Sequence, residues 1–223
     1  MKPLAVVTAG PASEPVDEVR RITNSATGEI GNLLAAALAR QGFAVLLFRG
    51  HGANRTDTPP DTLLHEFTGN RDLAHMLGEL SATRGADVRA VFHAAALSDY
   101  AVAAVRGPDG SPVHGRKLRG DLGQIHIVLE PAPKVLPHMR GWFPDTRITA
   151  WKYELDGSRQ DAIHAARAQL AKGHSDATVV NGMAYGPGFG VLESGNPPVH
   201  FDTKRKLADF LASRATALAK ARK

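Results

Sequence analysis

The chain has no cysteine. That excludes a disulfide framework, a thiolate metal site and a cysteine nucleophile, and it is the usage expected of a reducing compartment such as the cytoplasm. No stretch approaches about 20 uninterrupted apolar residues, so no membrane span or membrane partner is expected. The apolar run near the start, Leu4-Ala5-Val6-Val7, is too short for a secretory leader. Aromatic residues are scarce at 6% and none is interleaved with the basic ones, which argues against a nucleic-acid partner. Neither G-x-x-x-x-G-K-[ST] nor a compact G-x-G-x-x-G follows the first apolar run; the first pattern's absence excludes a P-loop and the second's weakens a dinucleotide site. H-E-x-x-H is missing, and no two of the 10 histidines stand closer than 10 positions apart, so a local zinc site is not expected.

What is present describes a globular protein. With 27 Lys+Arg against 22 Asp+Glu the formal net charge is +5. The basic residues are scattered except for a cluster from Lys204 to Lys223, which reads as the solvated face of a last helix. Such a field also attracts phosphate-rich ligands without identifying one. At 223 residues the chain suits one domain with a flap. The segment Leu4–Gly10 reads as a buried strand and Pro11–Thr27 as a long loop. A helix follows with Ile30, Leu33, Leu34, Ala37 and Leu38 on one face, then a strand over Ala44–Phe48. Further helices are expected over Asn70–Ala82, Pro133–Trp142, Ser158–Lys172 and Leu207–Lys220. Strands are expected over Val88–Ala96, Gln124–Leu129, Arg147–Trp151 and Ala177–Val180. Alternating strands and helices predict an α/β fold, a three-layer Rossmann-like and mostly parallel sheet, forming a single domain over 1–223. The stretch over about 105–123, with five glycines and two prolines, reads as a flexible excursion.

Ligands of open α/β sheets lie beyond the carboxyl ends of the strands. Gly10, the turn Asn24-Ser25-Ala26-Thr27-Gly28, Asp99, Trp151 and Asn181 all follow or close predicted strands, and so can meet at one rim. Gly28 opens a helix whose unpaired N–H groups suit an anion; as an alternative, Thr27 simply caps that helix. Ala94 and Ala95 are small enough for a ligand to approach the backbone. Asp99 can hold a magnesium ion, accept from a base or ribose, or bond its own turn. Lys117, in the excursion, can close over a phosphate or be a plain surface lysine. Lys134, after Pro133, and Lys172, at a helix end, share that ambiguity. Trp151 is either core or a stacking surface.

These residues together resemble one family. The run VTAGPASEPVDEVRRITNSATGEIG resembles the opening signature of the phosphopantothenate–cysteine ligases of coenzyme A biosynthesis. AAALSDY, GRKLRG, PAPKVL, TAWKYELD, HAARAQLAKGHSD, VVNG and DTKRKLADF follow in the family's order, and the similarity to PAPKVL is to the stand-alone bacterial forms. The resemblance implies a ligase that activates the carboxylate of 4′-phosphopantothenate with a nucleoside triphosphate, CTP more than ATP, with Mg2+. It forms an acyl-nucleotide and pyrophosphate, and then lets the amine of cysteine displace the nucleoside monophosphate. It further implies that Asn24 holds the acyl-nucleotide and Lys117 stabilises the transition state at phosphorus. Gly10, Ala26, Thr27 and Gly28 would contact phosphates. Ala94, Ala95, Asp99, Pro133, Lys134 and Trp151 would line the nucleotide and acid site, Asp99 serving the metal, and Lys172 would bind the triphosphate. The fused bacterial forms carry an amino-terminal flavin decarboxylase; as this chain opens directly at the ligase strand, no FMN is expected. Homodimers are the family's state, paired in part through the excursion, and a cytoplasmic location goes with the activity.

The chain departs from the family pattern at several points. Ala26 stands where serine is common, Ala168 where lysine is common, Gly182 where aspartate is, and Pro11-Ala12 where Gly-Thr is; Lys152 is a candidate to restore the lost charge. Two alternatives follow. One is a nucleotide-binding module without turnover. The other is a short-chain NAD(P)-dependent reductase, which needs Tyr-x-x-x-Lys, whereas Tyr100, Tyr153 and Tyr185 are followed four residues on by Ala104, Gly157 and Phe189.

Overall fold

A computed structural model describes residues 2–54 and 57–221, the side chains of residues 220 and 221 excepted. Arg222 and Lys223, the end of the basic cluster, and Lys220 as a side chain lie outside the described residues. The chain begins with strand β1 (Leu4–Ala9), a small antiparallel hairpin of β2 (Ser13–Pro15) and β3 (Arg21–Thr23), and helix α1 (Glu29–Arg40). Then come β4 (Ala44–Gly50), β5 (Thr62–Phe67), α2 (Asn70–Arg84) and β6 (Val88–His93). A second antiparallel pair, β7 (Tyr100–Arg106) and β8 (His126–Pro131), stands outside the main sheet. The chain ends with α3 (Leu136–Trp142), β9 (Arg147–Tyr153), α4 (Arg159–Ala171), β10 (Ala177–Asn181), β11 (Phe189–Glu193), β12 (Val199–Phe201) and α5 (Lys204–Ala221).

Eight strands form the central sheet in the order β12-β11-β10-β9-β6-β1-β4-β5. The six from β5 to β10 run parallel, and β11 and β12 extend the edge as antiparallel strands. The parallel part is buried on both faces, which is why β1, β4 and β6 read as continuous apolar runs. Along β1, Val7 and Ala9 pack with Leu34 and Leu38 of α1 and Leu207 and Leu211 of α5. Leu4 and Val6, on the opposite face, pack with Leu73 and Leu77 of α2 and with Met139 and Phe143 from α3 and the turn after it. Helix α4 lays Ala162 and Ala166 on Val180, whose neighbour Val179 faces α1 and α5. The expected three-layer, mostly parallel α/β sheet is therefore what the chain forms. No helix among the described residues is long and apolar enough to cross a membrane.

Strand order fixes where a ligand fits. From β1 the chain moves outward to β4 and β5 and then returns to the other side of β1 as β6. The carboxyl ends of β1 and β6 flank the topological switch point, where helices leave to opposite sides and a crevice opens. Six strands were not legible in the pattern. Edge strands β5 and β12 alternate weakly because water covers part of them, β11 is a five-residue run with a buried centre, and the pair β2–β3 and strand β7 lie off the main sheet. The expected excursion starts inside β7 and ends short of β8, so it is the tip of a hairpin. The strand expected over Gln124–Leu129 sits two residues later, and α3 begins at Leu136, because Pro133 and Lys134 are needed in the turn before it.

The tightest packing in the crossover is at Gly31. A Cβ built there would fall inside the methyl of Ala9, so the first turn of α1 lies against β1 with no room for a side chain. Gly31→Ala should cost about 1–3 kcal/mol through overpacking. Urea unfolding should show it as a lower midpoint with an unchanged slope, and an unmoved midpoint would mean that the helix yields.

Candidate functional site

The crevice at the switch point is built mainly from backbone. Beyond the strands the ladder continues: the N–H of Ala94 donates to Thr8 O (3.0 Å), that of Ala96 to Gly10 O (2.9 Å), and that of Ala12 to Ala96 O (2.9 Å). Segments 10–12 and 94–97 are thus stitched together as one floor. Gly10 and Gly28 both adopt left-handed backbone, at φ 76° and 77°. A Cβ on Gly10 would stand 2.9 Å from the Ala53 methyl and one on Gly28 3.0 Å from it. Their bare faces therefore receive the Ala53 methyl, from the turn that follows β4.

Gly28, not Thr27, is the N-cap of α1. Thr27 Oγ1 accepts the Glu29 N–H at 3.3 Å. Gly28 itself has no side chain to cap with, so beyond the Glu29 amide the first turn of α1 has no side-chain acceptor, and with the helix dipole those amides form a place for an anion. Ala26 is half-buried beside them. Asn24, exposed at the base of the β2–β3 hairpin, donates through Nδ2 to the carbonyls of Ala96 (3.1 Å) and Leu97 (3.2 Å). That joins Gly10, Asn24, Gly28, Ala94 and Ala95 around one crevice.

Asp99 and Lys134 meet a few residues on. They form an exposed ion pair where the β7–β8 hairpin leaves the sheet, and the N–H of Ala132 donates to Asp99 O at 2.9 Å. The Asp99 carboxylate therefore already has a cation. Among the described residues no three His, Asp or Glu side chains converge on a metal position. A magnesium ion would have to enter with the phosphates, as that ion commonly does, and Asp99 is at most one carboxylate at its edge.

The remaining candidates lie further out. Lys117 is exposed in the hairpin tip, which folds back onto the turn between β2 and β3. Asp17 makes that latch. Its carboxylate, 1% exposed, accepts from the N–H groups of Leu118 (3.0 Å), Val19 (2.8 Å) and Arg20 (2.5 Å), and pairs with the Arg20 guanidinium. The Leu118 amide first, and then these other donors, hold it far below the usual carboxylate range. Glu18 adds a pair with Arg116 at 2.8 Å. The three residues of β3 separate that turn from Asn24, roughly 10 Å at 3.3 Å per residue, and no hydrogen bond joins Lys117 to Asn24 among the described residues. Trp151 is half-buried at the α1–α5 face, and its indole N–H is sealed without a partner. Lys172 is the C-cap of α4; Gln169, a turn earlier, donates through Nε2 to Trp151 O at 3.3 Å. Lys152 is neutralised by Glu154 at 2.9 Å. At Gly182 the carbonyl of Glu154 occupies the space that an aspartate side chain would need.

Three residues were missed. Asn70, 1% exposed, opens α2 and clamps the crevice from behind: Nδ2 donates to Ser98 O (2.8 Å) and Pro133 O (2.9 Å), and Oδ1 accepts the Ser98 N–H (3.1 Å). In sequence it looks like any polar residue at a helix start. Thr8 and His93, cross-strand partners on β1 and β6, bond through Oγ1 and Nδ1 at 2.7 Å. Burial pushes the His93 imidazole down to about 4. A histidine closing an otherwise apolar run was the one available signal.

A model of the DNA/pantothenate metabolism flavoprotein C-terminal domain matches residues 3–219. The coenzyme A biosynthesis bifunctional protein CoaBC of Mycobacterium tuberculosis is 32% identical over 192 residues, 83% of this chain and 43% of the relative. The chain thus spans less than half the length of the curated relatives it matches first. Among solved structures, a DNA/pantothenate metabolism flavoprotein from Streptococcus pneumoniae superposes with TM-score 0.82 at 24% identity, covering 96% of this chain and 98% of that one. A Cab2 variant in complex with phosphopantothenate-cysteine gives 0.72 at 16% identity, covering 98% and 88%. At those identities the two structures bear on the fold.

His93 makes the site's stability pH-dependent. Its folded pKa lies below the unfolded value of about 6.5. Between pH 6.5 and about 4 the unfolded chain therefore takes up a proton that the native chain refuses, and stability falls as pH is lowered through that window, by at most about 1.4 kcal/mol per pH unit. Urea midpoints measured from pH 7 to 4.5 should fall more steeply for the wild type than for His93→Gln. Parallel curves would show that the ring charges freely in the fold.

Proposed function

The chain belongs to the family of DNA/pantothenate metabolism flavoprotein C-terminal domains, and from that premise we propose that it is a phosphopantothenate–cysteine ligase. The observation that carries the proposal is Asn24, whose amide is held on the Ala96 and Leu97 carbonyls at the mouth of the switch-point crevice. The start of α1 at Gly28 and the Gly10 backbone lie on one side of it, and an alanine-lined floor on the other. In this reading the nucleotide's phosphates lie on the Gly10 and Ala26-Thr27-Gly28 backbone, and the acid lies on Ala94–Leu97.

The proposed chemistry runs in two steps. A carboxylate oxygen of 4′-phosphopantothenate attacks the α-phosphorus of CTP or ATP. The bond to the bridging oxygen breaks, and pyrophosphate leaves with that electron pair. The amine of cysteine then attacks the acyl carbon, an amide forms, the ammonium proton passes to solvent, and the nucleoside monophosphate departs. Magnesium, when bound, supplies charge neutralisation on the phosphates. The chain supplies alignment, which is most of what joining two anions requires. Asn24 donates to the mixed anhydride in place of its present carbonyl partners. Lys117 reaches the phosphates only if the hairpin tip or a second subunit brings it there, and Lys134 offers a cation beside Asp99.

A homodimer suits the β7–β8 pair. An isolated two-stranded ribbon is marginal in water, yet all six residues of β8 are exposed, including Ile127, Val128 and Leu129, with Tyr100 on the paired strand. A second copy would cover that apolar surface. A module that binds nucleotide without turnover remains the second reading, favoured by the carbonyl that fills the place of the family's aspartate at position 182.

The test is incubation with 4′-phosphopantothenate, cysteine and either CTP or ATP, with pyrophosphate and amide product measured separately. Turnover is expected with one or both nucleotides; binding without pyrophosphate release would favour the second reading. Asn24→Ala should still release pyrophosphate but form little amide, and an unchanged amide yield would remove its assigned role. Light scattering should give about twice the 23.7 kDa chain mass, and Val128→Glu should reduce it to the monomer value.

A further inference from the structure

The pair at the carboxyl ends of β1 and β6 has an unfinished side. Thr8 Oγ1 accepts the Ala95 N–H at 3.3 Å and lies 2.7 Å from His93 Nδ1. A threonine hydroxyl has a single proton; the tautomer that gives that proton an acceptor has Nδ1 accepting and the ring's own proton on Nε2, whereas the opposite one leaves the hydroxyl proton without a partner among the described residues. Desolvation keeps the imidazole uncharged. The residue is 8% exposed, and Nε2, which has no protein partner among the described residues, is not among the atoms sealed from solvent. A donor is thus presented from an otherwise buried, rigid ring at the switch point. The two residues that follow it in the chain, Ala94 and Ala95, form the crevice floor, and the Asn24 amide is bonded to the carbonyls of the next two, Ala96 and Leu97.

We propose that His93 is a substrate-binding residue that donates from Nε2 to an oxygen of the acid substrate lying on Ala94–Leu97, and that Thr8 is a positioning residue that fixes the ring's tautomer. The inference rests on the ligase reading and deepens it. A neutral donor suits this step. It orients the carboxylate-bearing end of the acid, whereas a full cation in the same place would draw charge from the oxygen that must attack phosphorus. It also explains a polar pair where a parallel sheet normally packs aliphatic side chains.

Two substitutions separate the two edges of the ring. His93→Asn keeps an acceptor for the Thr8 hydroxyl but is too short to replace Nε2. His93→Gln places an amide donor near the Nε2 position and gives up the inner bond. Titration calorimetry with 4′-phosphopantothenate alone, without nucleotide, should show His93→Asn weakened about 10-fold or more, as expected for a lost bond to a charged group, and His93→Gln within about threefold of wild type. A purely structural role predicts the reverse order, which would overturn the inference. Long-range proton–nitrogen spectra of the free wild-type protein should show His93 as the Nε2–H tautomer, and Thr8→Val should lose that preference. An Nδ1–H ring in the wild type would overturn the inference even if both His93 variants unfold. If the wild type does not bind phosphopantothenate, the ligase reading and this inference fall together. If it binds and turns over while His93→Asn binds equally well, only this inference falls.

Discussion

The structure depends most on the way β1 and β6 continue to pair after both strands have ended. Main-chain bonds from Ala94 to Thr8, Ala96 to Gly10 and Ala12 to Ala96 hold two departing loops together at the point where the sheet reverses direction. A loop normally leaves its polar backbone to water; here it spends those groups on a neighbouring loop and becomes a fixed surface. Each feature assigned to the crevice is attached to that surface. Asn24 grips two of its carbonyls, Asn70 braces its far end at Ser98, and the Thr8 hydroxyl holds the Ala95 amide from beneath.

The central part of this arrangement was legible because parallel strands buried on both faces leave unbroken apolar runs. The runs Leu4–Gly10, Ala44–Phe48, Val88–Ala96 and Ala177–Val180 could each be seen and correspond to β1, β4, β6 and β10, and the rule that ligands gather at their carboxyl ends pointed to Gly10, the Asn24–Gly28 turn, Asp99, Trp151 and Asn181 at one rim. The edge of the sheet was not legible. In β5 the sequence Thr-Leu-Leu-His-Glu-Phe mixes both environments within six residues, and β12 is only three residues long.

The site was legible to the extent that its residues are near one another in sequence. Thr8 and His93 are 85 positions apart, and no local pattern announces that a hydroxyl and a ring will face each other. Asn70 gives no signal either, since its role is set by a loop 28 residues away. Lys172 closes α4, and what it meets depends on the course of that helix, a property of the three-dimensional crossover. Lys117 is intermediate: Asp17 holds its neighbour Leu118 and so decides where the lysine starts from.

The two bonds that Asn24 makes to Ala96 and Leu97 imply that occupancy of the crevice is an exchange of partners. An incoming oxygen must take the amide away from carbonyls that already satisfy it, and those carbonyls must then turn to solvent or to the ligand's own donors. The tally of hydrogen bonds hardly changes, so recognition there yields little heat and only a modest gain in affinity. What the asparagine contributes instead is direction. A ligand bearing an acceptor and a donor at matching spacing can complete the exchange, whereas one with an acceptor alone strands a carbonyl, and this selects by shape of polarity more than by strength of attraction.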